Sequence, residues 1–354
     1  MDTQARPLGS LSAEINQVFK EVSNMTTKQK LLTLFEQNKG IYLSGADIAL
    51  SLSLSRTAIW KAVKALQKEG YPIHAVPNKG YCLAEETDIL SSQGIEKYLK
   101  PVCSHIKIQT VPATVSTNTL VREKAALGAS EGLVIAANTQ TQGRGRIGRS
   151  FFSPADTGIY MSLLLRPAQY SSRQAVKLTT MAAAAACDAI ENISKKKAQI
   201  KWVNDIYMDN KKVSGILTEA SFGLEDGLLE YAVLGIGINV YPPKEGFPKE
   251  IARTAGSVFS VSLSDGKNLL AAEFLNSFMA YYSMPEQKDY IKTYRDHSLV
   301  IGKEIQVHLP GESRKALALD IDDQCRLLVK YEDGEIQRLS SGEISVALLD
   351  SFTL

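Results

Sequence analysis

The sequence predicts a multidomain α+β protein, and three observations lead to that prediction. Its 354 residues exceed what one ordinary hydrophobic core accommodates. Its hydrophobic share of 44% and charged share of 22% are those of a globular protein in water. The hydrophobic spacing changes twice along the chain, from helices to alternating strands and helices, and then to strands alone. We therefore expect a winged helix-turn-helix, a central α/β mixed-sheet domain and a small SH3-like β-barrel.

The first domain is predicted over residues 28–84, after an N-terminal extension at 1–27 whose role the sequence does not indicate. Three helices are expected, with Thr27 as the N-cap of the first and Ser55 as the N-cap of the third, which ends at Gly70. Two short strands around a Pro-Asn-Lys-Gly turn follow. Three helices and a hairpin form a winged helix-turn-helix.

Charge indicates that this domain binds DNA. From Lys28 to Tyr81 there are eight Lys and Arg against three acids, whereas the whole chain has a net charge of only +2. Because Ile59 and Val63 define the inner face of the third helix, its outer face carries the candidate DNA contacts Arg56, Thr57, Lys61 and Lys64. The alternative, a merely solvated helix face, does not explain why acids are absent from it.

The second domain is predicted over residues 88–297. Its clearest strands are 106–111, 133–138, 159–165, 213–220 and 231–240, and its helical candidates are 117–128, 174–193 and 267–295. The nearly continuous apolar runs in the strands indicate a sheet that is covered by helices. The third domain, residues 299–354, contains only alternating strands separated by Gly- and Asp-containing turns, which predicts the small β-barrel.

Several classes of protein are excluded by composition. No stretch is apolar for the roughly 18 residues of a membrane span, and the N-terminus lacks the apolar run of a signal peptide. The four cysteines and four histidines are scattered without metal-ligand spacing, so no protein-built metal site is expected. Unpaired cysteines fit a reducing compartment, and we expect a cytoplasmic protein.

Polar motifs follow the strands of the second domain, and the most unusual is "GRGRIGR" at 143–149. Arginine supplies paired donors to phosphate oxygens, and glycine lets backbone N–H groups approach them. A clamp over a small anionic ligand is favoured over an Arg/Gly-type RNA-binding arm, since the motif is single and flanked by strands. "GIGIN" at 235–239 imitates part of a dinucleotide fingerprint, but the prolines after it exclude the required helix.

Five motifs in one order, "STN", "GRGRIGR", "KWVND", "KVSGIL" and "GIGIN", resemble those of the biotin–protein ligases. With the winged helix in front, the chain is similar to the bifunctional biotin operon repressors and biotin–[acetyl-CoA-carboxylase] ligases. The resemblance covers residues 28–354 and includes "SGEIS" at 341–345. It departs from the family at Val203, where a proline is usual, and at Ile147, where relatives also carry arginine; Ile147 is therefore given no ligand role.

The resemblance implies a site, carried over residue by residue. The implied biotin contacts are Ser116, Thr117, Asn118, Gln140, Arg144, Gly145, Arg146 and Lys212. The implied ATP or adenylate contacts are Gly143, Arg144, Arg149, Phe151, Lys201, Asn204 and Asn239, with Phe151 stacking on adenine. Arg146, Lys212 and Asp205 are the implied catalytic residues, and Asp205 either orients the acceptor lysine or helps to remove its proton.

The implied reaction has two steps. Biotin is activated by ATP as biotinyl-5'-AMP, with Mg²⁺ held mainly through phosphates, and is then transferred to a lysine of a biotin carboxyl carrier protein, an acetyl-CoA carboxylase subunit or a related carboxylase. A Gly-rich cationic loop suits both steps, since it opens for entry and then covers the adenylate against water. The adenylate-bound protein is expected to form a homodimer on operator DNA and to repress genes of biotin synthesis or transport.

Three alternatives remain at this point. One is a biotin-sensing DNA-binding regulator without catalysis, against which the intact Arg144, Arg146, Lys201, Asp205 and Lys212 argue. The second is a lipoate or octanoate ligase, whose domain has a related fold but lacks the Gly-Arg loop. The third is a biotin ligase whose winged helix no longer binds an operator.

Overall fold

A computed structural model describes residues 25–167, 170, 175–223, 228–287, 289–309 and 311–340, and the backbone of 345–348. The N-terminal extension through residue 24 and residues 341–344 of "SGEIS" lie outside the described residues. The chain divides into two compact units. The first comprises residues up to Lys97 together with Leu263–Asn268, and the second comprises Tyr98–Ser262 and the chain from Leu269 onward.

The first unit contains the predicted helix-turn-helix, with α1 at Thr27–Gln37, α2 at Gly45–Leu52 and α3 at Arg56–Lys68. The N-cap of α1 is Thr26 and not Thr27, because Thr26 and Gln29 form a reciprocal capping box. Ser55 caps α3 as predicted, accepting a hydrogen bond of 3.2 Å from the N–H of Ala58.

The wing follows α3 as an antiparallel hairpin of β1, Ile73–Val76, and β2, Gly80–Leu83. Its turn needs left-handed backbone at Asn78 and Gly80, with φ of 63° and 101°. The core of the unit joins all three helices to the wing through fully buried apolar side chains, among them Leu31, Phe35, Ile48, Leu66 and Leu83.

Buried charges tie the segment Leu263–Asn268 into this unit. Glu36 of α1 has a fully buried side chain and pairs with Lys39 at 3.1 Å and with Lys97 at 2.9 Å. Asp265 pairs with the same two lysines, at 2.8 Å from the Lys39 ammonium. Lys97 follows the short helix α4, Ser92–Glu96. Two carboxylates and two ammonium groups thus neutralise one another, as buried charges require.

The second unit contains a seven-stranded mixed sheet in the order β3-β4-β5-β9-β8-β7-β6. Its strands are β3 Lys107–Val111, β4 Leu133–Ala137, β5 Gly158–Leu165, β6 Gln199–Lys201, β7 Asp205–Met208, β8 Lys211–Phe222 and β9 Leu229–Asn239. The β3–β4 pair is parallel and the other pairs are antiparallel. All eight residues of β5 are buried, as expected of a central strand in a covered sheet.

The remaining helices are α5 Thr117–Ala126, α6 Ala175–Ser194, α7 Gly266–Ser283 and α8 Asp289–Asp296. The Ala-rich stretch of α6 is buried, as predicted. The single helix expected over 267–295 is wrong: it is two helices, separated by a 3-10 turn at Pro285–Gln287. Proline lacks the N–H that would continue the helix and clashes with the preceding turn, so the chain breaks there.

The all-β prediction for the last segment is confirmed. An antiparallel sheet in the order β13-β12-β11-β10-β14 is formed by β10 Glu304–Leu309, β11 Glu312–Ile321, β12 Leu327–Tyr331, β13 Ile336–Leu339 and β14 Ser345–Leu348. Alternate residues of β10 and β12 point into its core, including Ile305, Val307, Leu327 and Val329, which are fully buried. None of the described helices is both long enough and apolar enough to cross a lipid bilayer.

Candidate functional site

A cleft of about 220 Å³ in the second unit gathers most of the predicted site. It lies between the start of α5, the Gly-Arg loop, the β6–β7 turn and the inner strands β8 and β9. Its lining includes these predicted residues: Ser116, Thr117, Asn118, Gln140, Arg144, Gly145, Arg146, Arg149, Phe151, Lys201, Asn204, Asp205 and Lys212. Segments that lie between Ser116 and His308 in the sequence therefore meet at one surface.

Two predicted ATP contacts do not line this cleft. Gly143 is buried behind the loop, where its carbonyl accepts a hydrogen bond of 2.8 Å from the N–H of Phe151. Asn239 ends β9 and donates its amide to the carbonyl of Gly256 at 3.0 Å, so it holds a neighbouring segment. Ile147, which had no predicted role, lies at the rim with its side chain 58% exposed.

One end of the cleft is polar and uncharged at its centre. Ser116 occupies the N-cap position of α5, but its side chain does not cap the helix. The carbonyl oxygen of the Gln140 side chain caps it instead, accepting hydrogen bonds from the N–H of Thr117 at 2.9 Å and from its hydroxyl at 3.2 Å. The hydroxyl of Ser162, fully buried on β5, lies 2.7 Å from that of Thr117 and 2.6 Å from Oδ1 of Asn118. These side chains hold one another in fixed orientations.

The other end is cationic. The Lys212 ammonium lies 2.6 Å from Oδ1 of Asp205, and Arg146 donates to Oδ1 of Asn204 at 3.3 Å. Burial lowers the pKa of Lys201, an effect that the Asp205 carboxylate opposes and the Lys212 charge reinforces. Burial likewise lowers the pKa of the Arg146 guanidinium. Cations that are partly stripped of water gain most from an anionic ligand.

Glycines form the floor between the two ends. A Cβ at Gly237 would lie 2.7 Å from Cζ of Phe151, and one at Gly235 would lie 2.8 Å from Cγ of Asn118. At Gly215 a Cβ would come within 3.3 Å of the Phe151 ring. The glycines of "GIGIN" are thus needed for close packing, and not for a phosphate-binding helix turn.

The Gly-Arg loop is a small hairpin over the cleft. The N–H of Gly145 donates to the carbonyl of Arg149 at 2.7 Å, and Arg144 bridges Ser150. Its tip turns at Ile147 and Gly148, with φ of 54° and 69°. Left-handed backbone suits glycine but is unfavourable for a β-branched residue such as isoleucine.

Sequence reasoning missed several residues at this site. Ser162 and Glu219 are polar residues inside the apolar strands "IYMSLLL" and "GILTEA". A polar residue in such a strand is the feature by which they could have been identified. Trp202 and Leu217 add apolar surface. His308, which also lines the cleft, comes from β10, and nothing in the sequence linked that strand to the motifs.

The outer face of α3 is as predicted. Arg56, Thr57, Lys61 and Lys64 are exposed, and Ile59 and Val63 are buried. Trp60, which was not predicted, lies among them with 52% of its surface exposed. Over the described residues, no group of three or more His, Cys, Asp or Glu side chains is placed to hold a metal ion.

Three family models match the chain in the order of these structural parts. They are an HTH domain at 27–82, the Biotin/lipoate A/B protein ligase family at 111–239 and the Biotin protein ligase C terminal domain at 300–346. The bifunctional ligase/repressor BirA of Bacillus spizizenii is 33% identical over 331 residues, which cover 91% of this chain and 99% of that protein. The BirA of Escherichia coli is 27% identical, covering 91% and 97%.

A solved structure agrees with these matches. The biotin protein ligase of Aquifex aeolicus, in complex with biotin and ATP, superposes with a TM-score of 0.57 at 27% identity. The match covers 68% of this chain and 99% of that one.

Proposed function

This chain belongs to the family of bifunctional biotin–protein ligases and repressors, and on that premise we propose how its cleft divides the work of the reaction. It is a biotin–[acetyl-CoA-carboxylase] ligase that carries a DNA-binding repressor domain. The observation on which the proposal depends is the polarity of the cleft, neutral at one end and cationic at the other. Biotin has the same polarity, with a ureido ring at one end and a carboxylate at the other.

The neutral end takes the ureido ring. That ring has two N–H donors and one carbonyl acceptor, and each loses free energy if it is buried without a partner. Ser116, Thr117, Asn118 and Gln140 supply hydroxyl and amide groups, and a network with Ser162 fixes Thr117, Asn118 and Gln140 before the ligand arrives. Trp202 and Leu217 cover the apolar remainder of the ligand.

The cationic end brings biotin and ATP together. A carboxylate oxygen attacks the α-phosphorus, the bond from that phosphorus to the β-phosphate oxygen breaks, and pyrophosphate leaves. Two anions approach each other in this step, so Arg146 and Lys212, which lie at this end, must offset their repulsion, whereas Arg144 pairs with Glu219. Phe151, whose ring lies close to Gly237 and Gly215, stacks on the adenine, and Arg149, Lys201 and Asn204 contact the nucleotide.

The second step attaches biotin to a lysine of the carrier protein. The neutral lysine nitrogen forms a bond to the acyl carbon, the acyl–phosphate bond breaks, AMP leaves and the proton of the amine is released to solvent. Asp205 lies 2.6 Å from the Lys212 ammonium and is already engaged in an ion pair. We assign it the role of orienting the incoming lysine, which it attracts electrostatically as it does Lys212.

Mg²⁺ fits this site only together with the nucleotide. Among the described residues Asp205 is the one carboxylate that lines the cleft, and it is paired with Lys212. The phosphates would therefore supply most ligands, since Mg²⁺ keeps few protein ligands in such sites. When bound, the ion neutralises phosphate charge.

The ligase proposal is tested by mass spectrometry after incubation with biotin, ATP and Mg²⁺. We expect biotinyl-5'-AMP, and a mass gain of one biotin on a single lysine of an added carrier domain. Lys212→Ala should lose adenylate formation, because the anions then lack a counter-charge, whereas Lys211→Ala, on the exposed neighbour, should retain it. Folded wild-type protein that forms no adenylate would refute the proposal.

The repressor function is proposed to depend on the adenylate. We propose that the adenylate-bound chain dimerises on an operator of biotin synthesis or transport genes, and that consumption of adenylate by the carrier relieves repression. The location proposed is the cytoplasm, which suits four buried cysteines that are all unpaired.

A further inference from the structure

Glu219 is a charged residue that contacts two residues of the cleft lining, Asn118 and Arg144, and that the proposed chemistry does not use. It lies on β8 and shares the sheet face of Gly215 and Leu217, since alternate residues of a strand point the same way. Those two line the cleft, as does Lys212, the second residue of the same strand. Glu219 therefore follows the lining residues on the same face of β8.

Glu219 determines which way the Asn118 amide points. A carboxylate only accepts hydrogen bonds, so the group 2.8 Å from its Oε2 must be the NH₂ of Asn118. The second N–H of that NH₂ donates to the carbonyl of Leu217 at 3.2 Å. Oδ1 of Asn118 is left to face Ser162 and Gly235, inside the cleft. Glu219 and the Leu217 carbonyl together thus hold the acceptor that Asn118 offers to a ureido N–H.

Glu219 also holds the Gly-Arg loop. Its Oε1 lies 2.9 Å from the Arg144 guanidinium and 3.7 Å from that of Arg122 on α5. Arg144 belongs to the loop, whereas Glu219 belongs to the sheet, so this ion pair joins one to the other. A second connection, from Arg146 to Asn204, lies toward the cationic end. The Arg144 side chain is 45% exposed, so the pair is weak enough to break and re-form.

We propose that Glu219 is a positioning residue with two separable effects. It fixes the Asn118 amide for biotin recognition, and it anchors the closed loop through Arg144, which slows the escape of biotinyl-adenylate. The proposal rests on the function proposed above. Since a partly exposed ion pair is screened by salt, adenylate retention should be salt-dependent in the wild type.

The two effects are separated by two substitutions in the full chain. Glu219→Gln keeps an oxygen that accepts from Asn118 but removes the charge that holds Arg144. We expect biotin affinity within about twofold of wild type, and adenylate release faster by about threefold, the effect of a partly exposed ion pair. Glu219→Ala removes both contacts and should weaken biotin binding as well, by about tenfold.

A double-mutant cycle tests the anchor itself. Glu219→Gln should add nothing to the release rate of an Arg144→Gln protein, because the pair is already broken, and salt should accelerate release less in either variant than in the wild type. Arg122→Gln, on the more distant cation, should behave as wild type. Thermal unfolding identifies any variant that is merely unstable, and Glu219→Gln carries the test if Glu219→Ala does not fold.

The outcomes distinguish this inference from the function on which it rests. Wild-type protein that forms no adenylate refutes the ligase proposal. Wild-type protein that forms adenylate, with a release rate unchanged by Glu219→Gln or raised equally in the Arg144→Gln background, overturns the anchor alone. Unchanged biotin affinity in a folded Glu219→Ala protein overturns the role in orienting Asn118.

Discussion

The stability of the charged form of each cation in the cleft depends on how much of its hydration is lost on burial. Arg146 is half-buried, and burial already lowers the pKa of its guanidinium, so the unliganded site holds a cation at some cost. An anionic ligand offsets that cost. The same reasoning applies to Lys201 across the cleft. Both cations are therefore more stable with an anionic ligand than without one. The affinity of the cleft for a ligand consequently depends on the negative charge of that ligand.

Arg146→Ala is expected to weaken biotin binding and to accelerate adenylate release. The loop contributes little to the core, so the free energy of unfolding should change by about 0.5 kcal/mol or less. Isothermal titration and a pulse-chase release assay measure the first two quantities, and denaturant unfolding measures the third. Lys196→Ala, which removes an exposed charge after α6, is the control. Equal biotin affinity and equal release would show that Arg146 is not part of the binding site.

ATP affinity should decrease as the pH rises. Because of Lys201, this decrease should begin at a lower pH than it would with a lysine of ordinary pKa. Its pKa is lowered by burial, phosphate binds the charged form, and the charge is lost as pH rises through that lowered pKa. Titrations of ATP binding between about pH 7 and 10 measure the decline, against an ordinary lysine pKa of about 10.4. Lys201→Arg stays charged and should move the decline to higher pH. A profile identical in both proteins would assign the decline to another group.

Among the secondary-structure elements, β9 can approach the Gly-Arg loop closely because Gly237 has no side chain. Because a Cβ at Gly237 would meet the Phe151 ring, β9 lies close enough to the Gly-Arg loop to support that ring from below. Gly237→Ala should displace Phe151, weaken ATP binding roughly tenfold and lower the free energy of unfolding by about 1–3 kcal/mol. Gly45→Ala is the matched control, since a Cβ there meets only an ordinary contact at 3.9 Å. Unchanged ATP affinity in Gly237→Ala would mean that Phe151 does not stack on adenine.

Helix α3 contains a tryptophan whose fluorescence can be used to detect DNA binding. Trp60 is half-exposed among its cations, while Trp202, the other tryptophan, is 4% exposed in the other unit. Operator DNA should therefore quench the fluorescence of Trp60 and leave that of Trp202 unchanged. Trp60→Phe should abolish the quenching. Lys64→Ala should retain the quenching but bind more weakly at every salt concentration, since a phosphate contact carries no sequence information. Quenching that persists in Trp60→Phe would place the DNA elsewhere.

For the molecule as a whole, we expect repression to require two winged helices. One small domain neutralises few phosphates and should bind weakly with strong salt dependence, whereas a dimer gains effective concentration and reads two half-sites. The outer edge of β6 is partly covered by hydrogen bonds from Ile200 to His297 and from Leu299 to Ile200, which leaves β3 as the more open edge among the described strands of the large sheet. Adenylate can favour the dimer only if it binds that state more tightly.

We expect sedimentation to show a dimer with biotinyl-adenylate and a monomer without ligand, and the operator affinity to rise with the dimer. Arg56→Ala should lower operator affinity by about 1–3 kcal/mol while ligase activity stays unchanged, because Arg56 is predicted to contact a base. A monomer in all ligand states, or operator affinity unaffected by Arg56→Ala, would leave only the ligase.

The turns, the polar motifs and the cap at Ser55 were predictable because they are local, whereas the N-cap of α1 was placed one residue late, at Thr27 and not Thr26. Ser55, Gly70 and the turn at Asn78 act within a few residues, and the outward face of α3 follows from helical spacing alone. The helix break at Pro285 was also local, and overlooking that proline produced the wrong single helix over 267–295. The strands were predictable for the same reason, since burial on both faces leaves nearly continuous apolar runs in the sequence.

The residue types of this site could be predicted from the sequence, since five ordered motifs contain most of its lining. Which of their atoms come into contact depends on the fold. Gln140 caps α5 from 23 residues away, Ser162 and Glu219 reach the cleft from strands that otherwise supply core, and His308 arrives from another sheet. Strand register is responsible, because the pairing of strands fixes which side chains face the cleft. The paired strands are far apart in the sequence, so no local pattern indicates which residues will meet.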